Sequence, residues 1–206
     1  MAMNKVGVLV FDNVEVLDFT GPFEVLSVAA GQSPGLLTIE IVGTSPEVVC
    51  RGGLVVRPSR LVSDNPVYNT LVVPGGPGAR SLVTQAREHD PVTQAPTVSQ
   101  TLLRYIAGHA ERGALVASVC TGAYFLAEAG LLAGRKATTH HAAFRHFSET
   151  YPGIQLVTER FVDEGPVITS GGVSCGIDMA LHLVDRLIGS AAARIVADVL
   201  EWPGPG

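Results

Sequence analysis

The sequence predicts an α/β layered fold, a mostly parallel sheet with helices on both faces. Two observations carry this prediction. Short, almost wholly apolar runs of strand length recur along the chain, with longer amphipathic stretches between them. Charged residues make up only 16% of the chain, against roughly 25% in a typical globular protein. Strands covered on both faces need few charges, and runs without polar alternation are what a helix-covered parallel sheet requires.

The first run, residues 6–11 (VGVLVF), follows Lys5 and ends at Asp12. Residues 37–42, 70–73, 114–119 and 167–169 read as further strands of the same kind. Helical patterns fall at 21–30, 93–110, 121–132, 141–150 and 174–188; in the second, Val98, Leu102, Leu103 and Ile106 recur at helical spacing. Residues 47–57 hold two short β-prone runs around Arg51-Gly52-Gly53 and read as a hairpin. Residues 155–163 read as another strand pair, and Pro203-Gly204-Pro205-Gly206 as a frayed tail. No repeat or long polar linker divides the chain. Residues 1–206 are therefore expected to form a single domain, large enough to bury a sizeable core.

A mean hydropathy of +0.33 is high for such a chain. It fits a membrane protein, a fold with much doubly covered backbone, or an oligomer that hides surface. A membrane span needs about 18–20 apolar residues in a row. The best stretch, 114–127, contains Ser118, Thr121 and Gly122 and stops at Glu128. Residues 6–11 are too short for a signal-peptide core of about 7–15 residues. The expected setting is cytoplasmic, without membrane contact. A net charge of −5, with no block of like charges, disfavours nucleic acid as a partner. Three cysteines, Cys50, Cys120 and Cys175, with no CxxC spacing, argue against a disulfide framework or a zinc knuckle.

Sites on open α/β sheets form beyond the carboxyl ends of the strands. After residues 114–119 come Cys120-Thr121-Gly122-Ala123, with small residues, Ser118 and Gly122, two positions either side of the cysteine. A sharp strand-to-helix turn that exposes a nucleophile has that steric requirement. A helix start there would lower the thiol pKa; the alternative is a small buried core cysteine. After 70–73 come Pro74-Gly75-Gly76-Pro77-Gly78, a turn that either points backbone N–H groups into a site or simply joins strand to helix. After 6–11 come Asp12, Glu15 and Asp18. Asp18 is either a helix-start anion or a half-buried acid beside the cysteine. His140 and His141 follow Lys136-Ala137-Thr138-Thr139 and are candidates for a Cys–His pair or for structural roles. His89, His109, His146 and His182 read as surface or helix positions without partner spacing, and no metal site is expected. Cys175, after Ser170-Gly171-Gly172, also opens a helix and is the rival thiol.

Four segments together resemble the ThiJ/PfpI superfamily of class I glutamine amidotransferase-like proteins: VGVLVFDNVEVLDFTGPFEVL (6–26), LVVPGG (71–76), SVCTGAYFLAEAGLLAGRKATTHH (118–141) and TSGGVSCGIDMALHLV (169–184). The resemblance implies a flavodoxin-like three-layer sandwich. Within the superfamily the motifs are similar to those of isonitrile hydratases and of the ligand-sensing domain of AraC-type regulators. The regulators add a helix-turn-helix domain, for which the chain ending at Gly206 leaves no room. By resemblance, Cys120 is the nucleophile and Asp18 the acid/base carboxylate. Thr121 lends its backbone N–H and hydroxyl, and Gly75 and Gly76 complete an anion-binding pocket. His140 aligns with a histidine common in the family, and His141 stands where an aromatic is expected. Thr121, where the protease-like branch has histidine, disfavours peptidase chemistry. The implied activity is hydration of an isonitrile to an N-substituted formamide, on a small uncharged substrate, without metal or cofactor, in a homodimer. The alternatives are a small-molecule-sensing domain, or an amidase or redox-stress protein whose elbow thiolate oxidises readily.

Overall fold

A computed structural model describes residues 3–87 and 97–203. Among them the chain alternates strand and helix. In order these are β1 (Asn4–Val10), α1 (Val16–Gln32), β2 (Leu37–Gly43), a hairpin of β3 (Val48–Val49) and β4 (Val55–Val56), β5 (Arg60–Leu61), β6 (Thr70–Val73), α2 (Pro77–Arg87), α3 (Val98–Glu111) and β7 (Leu115–Val119). Then come α4 (Ala123–Glu128), β8 (Lys136–Ala137), α5 (Phe144–Thr150), β9 (Gln155–Leu156), β10 (Phe161–Asp163), β11 (Val167–Ser170), α6 (Cys175–Ile188) and α7 (Ser190–Val199).

The main sheet has the order β10-β11-β7-β6-β1-β2-β5 and is parallel except for β10. Helices α1, α6 and α7 pack together, as do α2, α3 and α4. This is the expected three-layer arrangement. The central strands are buried along nearly their whole length, because helices cover them on both sides. Each fully buried Val, Leu or Ile side chain contributes roughly 1.5–3 kcal/mol. The functional consequence is positional. Strands β11, β7, β6 and β1 are neighbours and run the same way, so their carboxyl ends lie side by side. The segments after Val10, Val73, Val119 and Ser170 therefore meet.

Several expectations need correction. Strand β2 is only partly covered rather than buried throughout: Thr38 is exposed, residues 39–41 are half-buried, and Glu40 accepts a hydrogen bond from the Tyr68 hydroxyl at 2.7 Å. Only the two-residue β5 lies beyond it, so its cover is incomplete. Residues 155–163 do not form a strand pair: β9 adds in parallel to β8, and β10 pairs antiparallel with β11. Helix α1 begins at Val16, five residues before the predicted start, and runs through Pro22. That proline forgoes one intrahelical bond, and tight packing on α6 compensates. A Cβ on Gly21 would lie 3.2 Å from Ile177 Cγ1. Helices α2 and α7 were not foreseen. The predicted hairpin at 47–57 is present, with Cys50 buried at its turn. In α3, Thr97 caps the first turn by accepting from the Gln100 N–H. The predicted residues 93–96 of that helix, His89, and residues 204–206 of the predicted tail lie outside the described residues.

The layers are tied near the site by Phe11 and Phe125, both fully buried and edge-to-face with ring centroids 5.4 Å apart. Phe125→Ala is expected to cost about 3–5 kcal/mol in denaturant unfolding, because the end of β1 and α4 lose a shared anchor.

Candidate active site

Cys120 follows β7 directly and has φ of 59°, a left-handed conformation rare for a residue with a side chain. Two buried hydrogen bonds hold it there. Its N–H donates to the Gly171 carbonyl at 3.0 Å, and its carbonyl accepts from Thr139 Oγ1 at 2.8 Å. Gly122 makes room for the turn, since a Cβ there would lie 2.2 Å from the Val73 carbonyl oxygen. The elbow predicted from the small flanking residues is formed, and Cys120 is 5% exposed at the base of a cleft of about 320 Å³.

Asp18 sits in the first turn of α1 and is completely buried. Its Oδ2 accepts from the Gly75 N–H at 3.1 Å. Its Oδ1 has no well-formed hydrogen bond; the Cys120 thiol is the neighbouring group. Of the two sequence readings of Asp18, the structure supports the acid beside the cysteine. Burial, opposed by hydrogen bonds from the site, pushes its pKa up from 3.8 to about 7. Burial and the adjacent Asp18 carboxyl push the Cys120 thiol up to about 12. This corrects the expected depression of the thiol pKa. A single turn of 3₁₀ helix and the six-residue α4 follow Cys120, and their N-terminal field is outweighed by loss of solvent. The two groups act as one unit that gives up its first proton near neutrality, leaving one negative charge and one proton between them.

Gly75 and Gly76 do not present free donors to the cleft. The Gly75 N–H is taken by Asp18, and the Gly76 N–H donates to Thr121 Oγ1 at 2.9 Å. That hydroxyl in turn donates to the Gly76 carbonyl at 3.2 Å. Thr121 thus clamps the elbow to the turn after β6, and its hydroxyl is not free for substrate. The donors facing the Cys120 sulfur are the backbone N–H groups of Thr121 and Val173. Val173 was missed by sequence reasoning. It is a second left-handed residue, with φ of 49°, in the turn after β11. A β-branched residue in that conformation is an outlier, and its N–H lies near both Asp18 and Cys120, where it favours their charged forms.

His140 lines the cleft, and its Nδ1 accepts from the Ala142 N–H at 3.2 Å. The neutral ring therefore carries its proton on Nε2. Burial and the neighbouring His141, stacked at 4.4 Å, lower its pKa and keep it neutral. The structure thus brings His140 to the cleft but shows no hydrogen bond from it to the cysteine. The rim holds Glu15, one of the acids noted after the first strand, with Arg51 and Arg80, to which the sequence assigns no site role. Arg51 arrives on the hairpin, which docks on the loop after β1: Val49 N–H donates to Asp12 Oδ1 at 2.9 Å and Arg51 N–H to the Val14 carbonyl at 2.9 Å. The Arg51 guanidinium pairs with Glu15. No periodicity or local motif could have announced these contacts.

The rival thiol, Cys175, opens α6 as predicted and is half-buried, with its pKa raised mainly by burial. His109 is a helix position, on α3, and not a surface one: it is fully buried, accepts from the Tyr68 N–H at 3.2 Å and stacks edge-on with Tyr105. His146 and His182 also have partners, Tyr124 and Asp163. Among the described residues no three His, Cys, Asp or Glu gather as a metal site.

The buried acid has a cost that depends on pH. The folded protein keeps the Asp18 proton to about pH 7, whereas an unfolded chain releases it near 3.8. The stability this contributes is complete below the lower value and is lost as pH rises between the two. Asp18→Asn is therefore expected to be more stable than the wild type at about pH 8, by roughly 2–4 kcal/mol, with the gap closing below about pH 4. Urea unfolding at the two pH values measures it. Alkylation of Cys120 should accelerate as pH rises through about 7, and Asp18→Asn should remove that inflection.

The sequence pattern of the DJ-1/PfpI family matches residues 4–186. Isonitrile hydratase from Pseudomonas putida is 34% identical over 204 residues, covering 98% of this chain and 80% of that protein. The transcriptional regulator GbdR from Pseudomonas aeruginosa is 27% identical over 202 residues, 96% of this chain but half of that protein. The crystal structure of a ThiJ/PfpI family protein from Pseudomonas syringae superposes with a TM-score of 0.81 at 26% identity, covering the whole chain and 78% of that protein. An AraC family regulator from Pseudomonas putida shares the fold, with a TM-score of 0.77 at 21% identity over 96% of this chain and 99% of that structure. With its strand order, its elbow and these likenesses, the chain belongs to the DJ-1/PfpI family.

Proposed function

We propose that this protein is a cysteine-dependent hydratase that converts an isonitrile to an N-substituted formamide. The observation that carries the reading is the Asp18–Cys120 pair, which holds one exchangeable proton near neutral pH beside a strained nucleophile. The 34% identity to isonitrile hydratase supports it. In the first step the Cys120 sulfur bonds to the terminal isonitrile carbon, and Asp18 delivers the proton to that same carbon, giving a thioimidate. Asp18, now a carboxylate, takes a proton from water as the water oxygen adds to the carbon, and passes that proton to the nitrogen. The carbon–sulfur bond then breaks as the carbinol hydroxyl gives up its proton, which returns to the Asp18–Cys120 unit, and the formamide leaves. The Thr121 and Val173 N–H groups stabilise sulfur when it bears charge. No step draws on a metal or an organic cofactor, and a cytoplasmic setting that keeps the thiol reduced suits the reaction.

A second reading, a ligand-sensing domain, is favoured by the match to GbdR over 96% of the chain. Purified protein with simple alkyl and aryl isonitriles separates the two. Formamide should appear with the wild type. Cys120→Ala should abolish turnover, and Asp18→Asn should reduce kcat at least about a hundredfold, the usual weight of a positioned acid/base. Absence of formamide with several isonitriles, together with saturable binding of one, would favour the sensor. We also propose that the protein forms a homodimer that covers part of its apolar surface. Light scattering should then give twice the 21.5 kDa chain mass.

A further inference from the structure

The cleft carries charge that the hydration chemistry does not use. Glu15 and Arg51 pair with each other, so neither side chain stands free. His140 is held neutral by burial and by His141. Arg80, from α2, is different. Among the described residues it makes no salt bridge or side-chain hydrogen bond, and it lines the same cleft as Cys120. Its guanidinium carbon lies 5.9 Å from the centre of the Tyr124 ring. That ring is itself fixed. Tyr124 is buried, its hydroxyl is 2.9 Å from His146 Nδ1, and it stands edge-on to Phe147 with centroids 4.9 Å apart. A guanidinium resting on a fixed aromatic face keeps its N–H groups free for in-plane, two-pronged bonding. Carboxylates match that geometry. The anionic Asp18–Cys120 unit at the base repels a second negative charge, so an anionic group is favoured at the rim and disfavoured beside the sulfur.

We propose that Arg80 sets the specificity of this cleft, and that the substrate carries a carboxylate at the end remote from the atom that Cys120 attacks. The inference replaces the uncharged substrate expected from sequence. It rests on the hydratase reading only for the nature of the reacting group.

The test uses alkylation of Cys120, which needs no turnover. Two bromoacetamides of equal length are compared, one bearing an N-propyl and the other an N-carboxyethyl group. In each the sulfur–carbon bond forms as the carbon–bromine bond breaks. Bromide leaves and the thiol proton passes to Asp18 or to solvent. Rates at the Cys120 peptide are followed by mass spectrometry. The ratio of carboxyethyl to propyl rate should exceed one in the wild type by about five- to tenfold, the effect of one charge pair in a partly wet site. It should fall to about one in Arg80→Met, lie between in Arg80→Lys, and shrink with added salt. A wild-type ratio at or below one, or a ratio unchanged in Arg80→Met, would overturn the proposal. Unfolded chains would alkylate without preference, so the variants are compared as folded protein checked by circular dichroism, and the wild-type ratio with its salt dependence tests the proposal with the fold intact. Failure to hydrate isonitriles, with the ratio behaving as expected, would count against the hydratase reading alone.

Discussion

The left-handed backbone of Cys120 is the constraint on which the site depends. Such a conformation costs roughly 1–2 kcal/mol for a residue with a side chain. It persists because the chain is gripped from two other segments, at Gly171 after β11 and at Thr139 beyond β8. The first grip comes from the main sheet, the second from the segment after the separate β8–β9 pair. The strained residue is thus a product of the tertiary fold, and the sulfur's position is fixed by strands distant in sequence. Thr121 extends the same logic, binding the elbow to the turn after β6 through both the donor and the acceptor of its hydroxyl.

The electrostatics of the site follow from burial more than from helix ends. Asp18 and Cys120 each pay for loss of water; the Asp18 carboxyl makes ionisation of the thiol harder, while the thiol's hydrogen bond eases ionisation of Asp18. Polar contacts oppose this only in part: Gly75 donates to the carboxyl, and Thr121 and Val173 face the sulfur. The outcome is a shared proton held where either partner can use it. A freely ionised thiolate would attack faster, but it would have no proton beside it to hand to a carbon.

The layered fold was legible because burial on both faces of a strand leaves a direct mark on composition. The runs at 6–11, 70–73, 114–119 and 167–169 became β1, β6, β7 and β11, and those four strands frame the site. The elbow was legible for a related reason: packing beside a tight turn admits only small neighbours at 118 and 122. Helix α2 was harder to see because it opens with Pro77-Gly78, which read as the end of a turn. The roles of Gly75 and Gly76 were misjudged because a sequence shows that an N–H is available, not which acceptor lies nearest. Val173, Arg51 and Arg80 come to the cleft from three separate turns or helices, and only the assembled sheet brings them together.

The burial of Asp18 also bears on how such a fold would change under selection. An acid without a cationic partner, enclosed in the core, weakens the native state of every molecule that carries it. A lineage that used this cleft only to hold a ligand would gain by drifting to asparagine at position 18, which keeps an acceptor for the Gly75 N–H and sheds the buried acid. Keeping the acid is tolerable where its proton is used, which makes position 18 a more telling marker of catalysis among descendants of this fold than the cysteine itself, a residue that cores accept readily on packing grounds alone.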